Sequence, residues 1–230
     1  VSAGKKLRST SRSCKLCGRL VMEQRSEEWF RARAGKVTAS RVADVIAKTK
    51  SGYSTSRDNY MAELICQRLT GNLGDSYQNA AMVWGTNTEP FARAAYCSAK
   101  GVSVEEIGFV PHPTLDDAGA SPDGYVGEEG LLEIKCPLTS THMNIILEQE
   151  IPTKYHVQMQ WQMACTGRLF CDFVSFDPRM PENLQLYIHM VDRDNKMIAN
   201  LEAEVAKFLS EMENKIAKLN KLCGDNNEQL

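Results

Sequence analysis

The order of apolar and polar positions divides the chain into helices at both ends and strands in the middle. Late in the chain, Ile198, Leu201, Val205, Phe208, Leu209, Met212, Ile216 and Leu219 recur at helical spacing. That spacing predicts one long helix over about 193–222, with the stripe as its packing face and a partner-binding face as the alternative. In the middle, 102–110, 118–126 and 131–136 are short apolar runs separated by turn residues, and they predict strands. Two further strands are expected near 170–176 and 184–192.

Helix signals surround these runs. Ser26 followed by Glu27 and Glu28 suits a helix N-terminus, because a hydroxyl cap and early acids complement its free N–H groups. That helix should end at Gly35. A second, over 39–47, has Thr38 as its candidate cap, and a third over 57–70 should stop at Gly71. A helix over 88–100 would place Pro90 in its first turn and Gly101 beyond its end. Helices also fit 139–149 and 153–166. The last of these carries a conflict, since Val157, Met159, Trp161 and Met163 alternate as a strand would. The polar stretch 48–57 reads as a loop. This order of elements implies an α/β or α+β fold, with a sheet centred on 120–136 and helices around it.

Composition adds little to that picture. Apolar residues make up 43% and charged residues 24% of the chain, enough for a sizeable core in one domain. No apolar run reaches the roughly 18–20 residues of a membrane helix, so no membrane partner is expected. The net charge of -2 gives no global signal for nucleic acid. It does not exclude DNA either, because a metal-using nuclease carries carboxylates that cancel its basic groups. Eight scattered cysteines without a secretory signal suggest a reducing cytoplasm. Residues 1–21 hold six basic residues and no acid, and read as a disordered leader, vector-derived or upstream, with Met22 as a natural start. A DNA-tethering arm is the other reading. Cys14 and Cys17 have zinc-like spacing, but without a second pair they read as incidental thiols. Residues 22–230 are then one domain.

The candidate chemistry lies in Ser121-Pro122-Asp123-Gly124 and Glu133-Ile134-Lys135. Gly127-Glu128-Glu129-Gly130 can turn the chain between them and bring Asp123 beside Glu133. Glu133 and Lys135, two apart on a strand, share a face. Two carboxylates and an ammonium then converge at one sheet edge. Phosphodiester hydrolysis needs a nucleophilic water and neutralised charge on the leaving oxygen, and magnesium on carboxylates supplies both. A lysine set among cations would also have its pKa lowered. A surface salt bridge is the alternative for such a trio. Against it, Leu131, Leu132 and Ile134 flank the charges, and burying charge without partners is costly.

The stretches WFRARAGKVTAS (29–40), WGTNTEPFAR (84–93), ASPDG (120–124), LEIKCP (132–137), YHVQMQWQM (155–163) and FDPRMP (176–181) are similar, in order and separation, to the phage lambda exonuclease and YqaJ-type viral recombinase family. That family lies within the PD-(D/E)xK nucleases, and the resemblance runs from about residue 26 to 220. It implies a restriction-endonuclease-like core with a mixed sheet, and a helix over 153–166 that turns Gln158 and Gln162 to the site. It implies Asp123, Glu133, the Ile134 carbonyl and Glu89 as metal ligands, with Lys135 as the catalytic lysine. Arg33, Ser40, Ser121, Tyr155 and Gln158 would surround DNA and its terminal 5′-phosphate, and Met82 would be a strand wedge. Lys48, Lys50 and Arg57 are candidate duplex contacts, or simply solvated. His112, His142, His156 and His189 receive no catalytic role. The activity implied is 5′-to-3′ digestion of one strand of linear duplex DNA to mononucleotides, leaving 3′ overhangs. It implies two magnesium ions with manganese as a substitute, a ring-shaped homotrimer, and a phage single-strand annealing protein as partner. The setting implied is the bacterial cytoplasm, in a phage or prophage context. The rivals are a restriction-type endonuclease, an iron–sulfur nuclease of the CRISPR-associated kind, and a catalytically silent DNA-binding or annealing module.

Overall fold

The computed structural model describes residues 22–72 and 79–227. The basic leader, with Cys14 and Cys17, lies outside the described residues. A five-stranded sheet organises the rest. Its central strand β8 (Gly130–Lys135) pairs in parallel with β9 (Phe170–Phe176) and antiparallel with β7 (Gly124–Val126). The edges are β10 (Leu186–Asp192) beside β9 and β4 (Val104–Glu105) beside β7. A smaller sheet joins β1 (Val37–Thr38), β6 (Ala118–Ala120) and β5 (Val110–Pro111).

Alternation on β8 and β9 creates two buried faces, and each collects its own helices. Leu132, Ile134, Val174 and Phe176 pack under Ala92 and Tyr96 of α4 (Ala80–Lys100). Leu131, Cys171 and Phe173 pack under Ile145 of α5 (Thr139–Glu148) and Met159 and Met163 of α6 (Thr153–Thr166). Helix α6 also joins the core formed by β1, β6, α2 (Val42–Ile46), α3 (Thr55–Thr70) and α7 (Asn195–Asn227). Every residue from Val157 to Cys165 on α6 is therefore buried. This resolves the conflict in its sequence: a helix covered on all sides has no polar face to reveal its period. The architecture is the mixed α/β sandwich expected.

The terminal stripe of α7 packs inward through Ile198, Leu201, Val205, Phe208 and Met212. Helix α1 (Glu27–Arg33) is capped by Ser26, whose hydroxyl accepts from the Trp29 N–H at 3.2 Å. Three expectations need correction. Helix α4 begins at Ala80, not 88, with Asn79 as its cap and Pro90 in its interior. Gly85, Thr86, Asn87 and Thr88 are weak helix formers that hide the first turns, and Pro90 imitates a first-turn proline. Thr38 does hold the N-cap position, of a 3-10 turn over Ala39–Arg41, but its side chain makes no capping bond; it ends β1, and its N–H donates to the Tyr60 hydroxyl at 3.2 Å. The polar stretch 48–57 forms a hairpin, β2 (Lys48–Thr49) and β3 (Gly52–Tyr53), then enters α3.

Gly124 follows Asp123 because β4 crosses there. A Cβ at this position would overlap Val104 Cγ1 and stand 3.1 Å from the Glu105 carbonyl oxygen. Gly124→Ala is therefore expected to cost about 1–3 kcal/mol through overpacking. A lowered urea midpoint checks it, and an unchanged one contradicts the packing.

Candidate active site

The turn between β7 and β8 fixes the first two acids. Gly124 pairs with Leu132, which sets Asp123 opposite Glu133, and the Asp123 N–H donates to the Leu132 carbonyl at 3.0 Å. The Ile134 N–H returns a bond to Asp123 Oδ2 at 2.6 Å. Glu133 and Lys135 share the face toward α6, and the Lys135 ammonium meets Glu133 Oε1. Its Nζ also lies 5.0 Å from the centre of the Tyr155 ring. Glu133 is only 1% exposed. Its charge is tolerated because Gln158 Nε2 donates to Oε1 at 2.7 Å and Gln162 Nε2 to Oε2 at 2.6 Å.

Glu89 arrives from α4 on the opposite side of the sheet. It accepts from Arg93, one helical turn on, at 2.7 Å, and from Arg25 at 2.5 Å. These groups open into one cleft of about 1000 Å³. Its walls hold Glu89, Asp123, Glu133, Ile134 and Lys135, and also Arg33, Ser40, Ser121, Tyr155, Gln158 and Met82. The expected metal ligands, the lysine, the 5′-phosphate residues and Met82 thus share one opening, while Gln162, expected to face the site, lies behind it.

Electrostatics separates the members. Burial, then the charges of Glu133 and Glu89, pushes the Asp123 carboxyl well above the ordinary aspartate value. Burial pulls the Lys135 ammonium down, but Glu133 and Asp123 outweigh it and hold it above the ordinary lysine value. The lowered lysine pKa expected from a cationic setting is therefore corrected: its neighbours are carboxylates. Burial, then Glu89 and Asp123, raises the Cys136 thiol to about 12, so it is no nucleophile at neutral pH.

Across the cleft, Arg33 stacks on Trp29 with its guanidinium 4.0 Å from the ring centre. Arg33 Nη1 and Trp29 Nε1 both donate to Ser121 Oγ at 3.0 Å. Burial lowers Arg33 to about 10, so it stays charged at neutral pH. Among the described residues no carboxylate forms an ion pair with it. Ser40 is exposed at the cleft wall, and Met82 is 53% exposed at the start of α4.

The loop cations behave otherwise. Lys48 pairs with Glu204 at 2.8 Å, and buried Arg57 pairs with Glu211 at 2.8 Å, so both tie the hairpin and α3 to α7. Neither they nor Lys50 line the cleft. The sequence reading missed Arg25, Arg93, Trp29, Trp84 and Arg179. Arg93 was discoverable as the i,i+4 partner of Glu89. Arg25 lies 64 positions from Glu89 and left no local signal. Trp84 and Arg179 meet through the fold, with the guanidinium 4.3 Å from the indole centre while Asp177 grips its other side.

The donor set suits a hard divalent cation: three carboxylates face one opening, and burial, with the repulsion of the other two, disfavours ionised Asp123. Among the described residues, no three such groups enclose an ion as they are now arranged. Arg25 and Arg93 draw Glu89 aside, while Lys135 and two glutamines hold Glu133.

Because folding makes Asp123 bind its proton more tightly, its contribution to stability is greatest at low pH. That contribution is lost as pH rises through the folded-state value. In metal-free buffer at neutral pH, Asp123→Asn should therefore be more stable than wild type by roughly 0.5–2 kcal/mol. The advantage should shrink on acidification. Thermal melts with chelator across that pH range check this, and equal melting at neutral pH would remove the argument.

No helix among the described residues is long and apolar enough to cross a membrane. No curated protein sequence matches the chain. The alkaline exonuclease from Laribacter hongkongensis is 52% identical, with a TM-score of 0.82, over 87% of this chain and 99% of its own. The structure of that enzyme in complex with dAMP matches over the same shares, at 52% identity and a TM-score of 0.83. A phage-related exonuclease from Haemophilus somnus is 16% identical, with a TM-score of 0.66 over 80% of this chain and 96% of its own, a likeness of fold alone. The model of the YqaJ-like viral recombinase domain matches residues 28–169, which span the cleft from α1 to α6. The chain belongs to the YqaJ-like viral recombinase domain family, as a homologue of an alkaline exonuclease.

Proposed function

We propose that the chain is a magnesium-dependent DNA exonuclease that digests one strand of linear duplex DNA from its 5′ end, releasing mononucleotides and leaving 3′ overhangs. The convergence of Asp123, Glu133 and Lys135 carries this reading. Asp123, Glu133, the Ile134 carbonyl and Glu89 would hold magnesium, as two ions, with manganese as a substitute. Bound magnesium acidifies a water and neutralises charge on the leaving oxygen.

The chain's own groups do the rest. Water attacks the phosphorus that joins the first nucleotide to the second and gives up a proton to solvent. The P–O3′ bond breaks and O3′ takes up a proton. The first nucleotide leaves as a 5′-mononucleotide, and the shortened strand carries a new 5′-phosphate. Lys135, held charged by Glu133 and Asp123, donates hydrogen bonds to the crowded phosphate and is unsuited to take its proton. Glu89, now paired with Arg25 and Arg93, would exchange part of that pairing for the cation. Arg33 supports the polarity. A half-buried guanidinium with no carboxylate partner among the described residues, with Ser121, Ser40 and Gln158 nearby, suits a terminal 5′-phosphate. Tyr155 would border the scissile nucleotide, and Met82 at the rim would part the strands. The dAMP held by the Laribacter enzyme is a mononucleotide of the class released in this reaction.

The ring homotrimer, and a phage single-strand annealing protein as recipient of the 3′ strand, complete the proposal. A mass in solution three times that of the chain would support the ring.

The decisive experiment is digestion of linear duplex labelled at either the 5′ or the 3′ end, with and without magnesium, beside closed circular DNA. Release of 5′ label from linear DNA only, and only with magnesium, is expected. Cleavage of circles would indicate an endonuclease, and retention of DNA without release a silent module. Asp123→Ala and Lys135→Ala should each lower the rate by at least about 100-fold with the fold intact. Substantial residual activity would refute their roles. Arg33→Ala should raise KM for 5′-phosphorylated ends by roughly 10- to 100-fold. It should do much less to 5′-hydroxyl ends, and equal effects on both would discard the phosphate pocket.

A further inference from the structure

Gln162 is fully buried on α6, one helical turn beyond Gln158, and the two side chains hold the Glu133 carboxylate from different sides. Gln158 and Lys135 line the cleft and contact Oε1. Gln162 does not line the cleft, and its Nε2 donates to Oε2 at 2.6 Å. One oxygen therefore faces the opening, and the other is tied back into the core.

Packing alone gives a poor account of this glutamine. Its Oε1 is buried with no hydrogen-bond partner among the described residues. An unpaired buried acceptor is costly, and a methionine of similar size would avoid that cost. The neighbouring Gln160 makes the contrast. It is also fully buried, but its Nε2 donates to the Asp192 carbonyl at 2.8 Å and its Oε1 accepts from the Asp194 N–H at 2.8 Å. Gln160 is a structural strut with both ends used. Among the described residues, the Gln162 side chain makes its one hydrogen bond to the carboxylate.

We propose that Gln162 is a positioning residue that locks the Glu133 carboxylate from the core side and presents Oε1 to the cleft for a divalent cation. The inference rests on the magnesium-dependent reading above. Without the bond to Oε2, the carboxylate of Glu133 is free to turn toward Gln158 and Lys135, and its geometry toward a cation is no longer fixed. Partners that orient metal ligands in this way typically account for about 10- to 100-fold in metal affinity or activity.

The test is calorimetric titration of magnesium into the chain without DNA, for wild type, Gln162→Met, Gln162→Asn and Gln160→Met, with thermal melts of each. The asparagine variant keeps the amide but is too short to reach, and it serves if the methionine variant does not fold. Both Gln162 variants are expected to bind magnesium about 10- to 100-fold more weakly. Gln160→Met should lower the melting temperature and leave magnesium affinity within about threefold of wild type, well below that effect. Wild-type magnesium affinity in a folded Gln162 variant, or an equal loss in Gln160→Met, would overturn the inference and leave the proposed function standing. A wild-type chain that binds no magnesium would overturn both.

Discussion

A carboxylate taken out of water in the middle of a sheet is the constraint around which this molecule is arranged. Glu133 sits on the central strand, and an ion in that position is tolerated only when every lone pair that loses water gains a donor. Lys135 supplies one donor from the same strand, and Gln158 and Gln162 supply two from the helix laid across it. The need for those glutamines explains why α6 carries polar side chains along its buried stretch, Val157 to Cys165. The need to surround them explains why α6 touches both the large sheet and the helical core.

The two walls of the cleft solve opposite electrostatic problems. On one, burial and the neighbouring charges of Glu133 and Glu89 disfavour the ionisation of Asp123, and Arg93 and Lys135 pair with those glutamates. On the other, half-buried Arg33 stacks on Trp29 and bonds a hydroxyl, with no carboxylate paired to it among the described residues, so its charge is left for something that enters. A polyanion end with a reactive phosphodiester close behind it has the complementary character. The surface between the walls carries Tyr155, whose ring covers the lysine and faces the cleft.

Much of this was legible in the residues. The turn glycines at 127 and 130 and the two-residue period of Glu133 and Lys135 placed the acidic cluster before any coordinates, because hairpin register is a local property. Other features are written in no local pattern. The buried period of α6 vanished because all of its faces are covered. The first turns of α4 were masked by Gly85 and Asn87, while Pro90 suggested a later start. Lys48 and Arg57 looked like free loop cations, and only the return of α7 across the hairpin reveals their partners. Arg25 is the extreme case, since nothing near position 25 points to a glutamate on a distant helix. Sequence spacing reports what neighbours along the chain share, and ion pairs between remote elements fall outside its reach.

Strand β8 has hydrogen-bonded neighbours on both sides and helices on both faces. Its amides can exchange with solvent only when the whole sheet opens, so the acidic cluster belongs to the most protected cooperative unit of the chain. Fraying at the edge strands or along the far turns of α7 leaves it untouched. Glu133 and Lys135 therefore share the stability of the sheet's centre and not that of its edges.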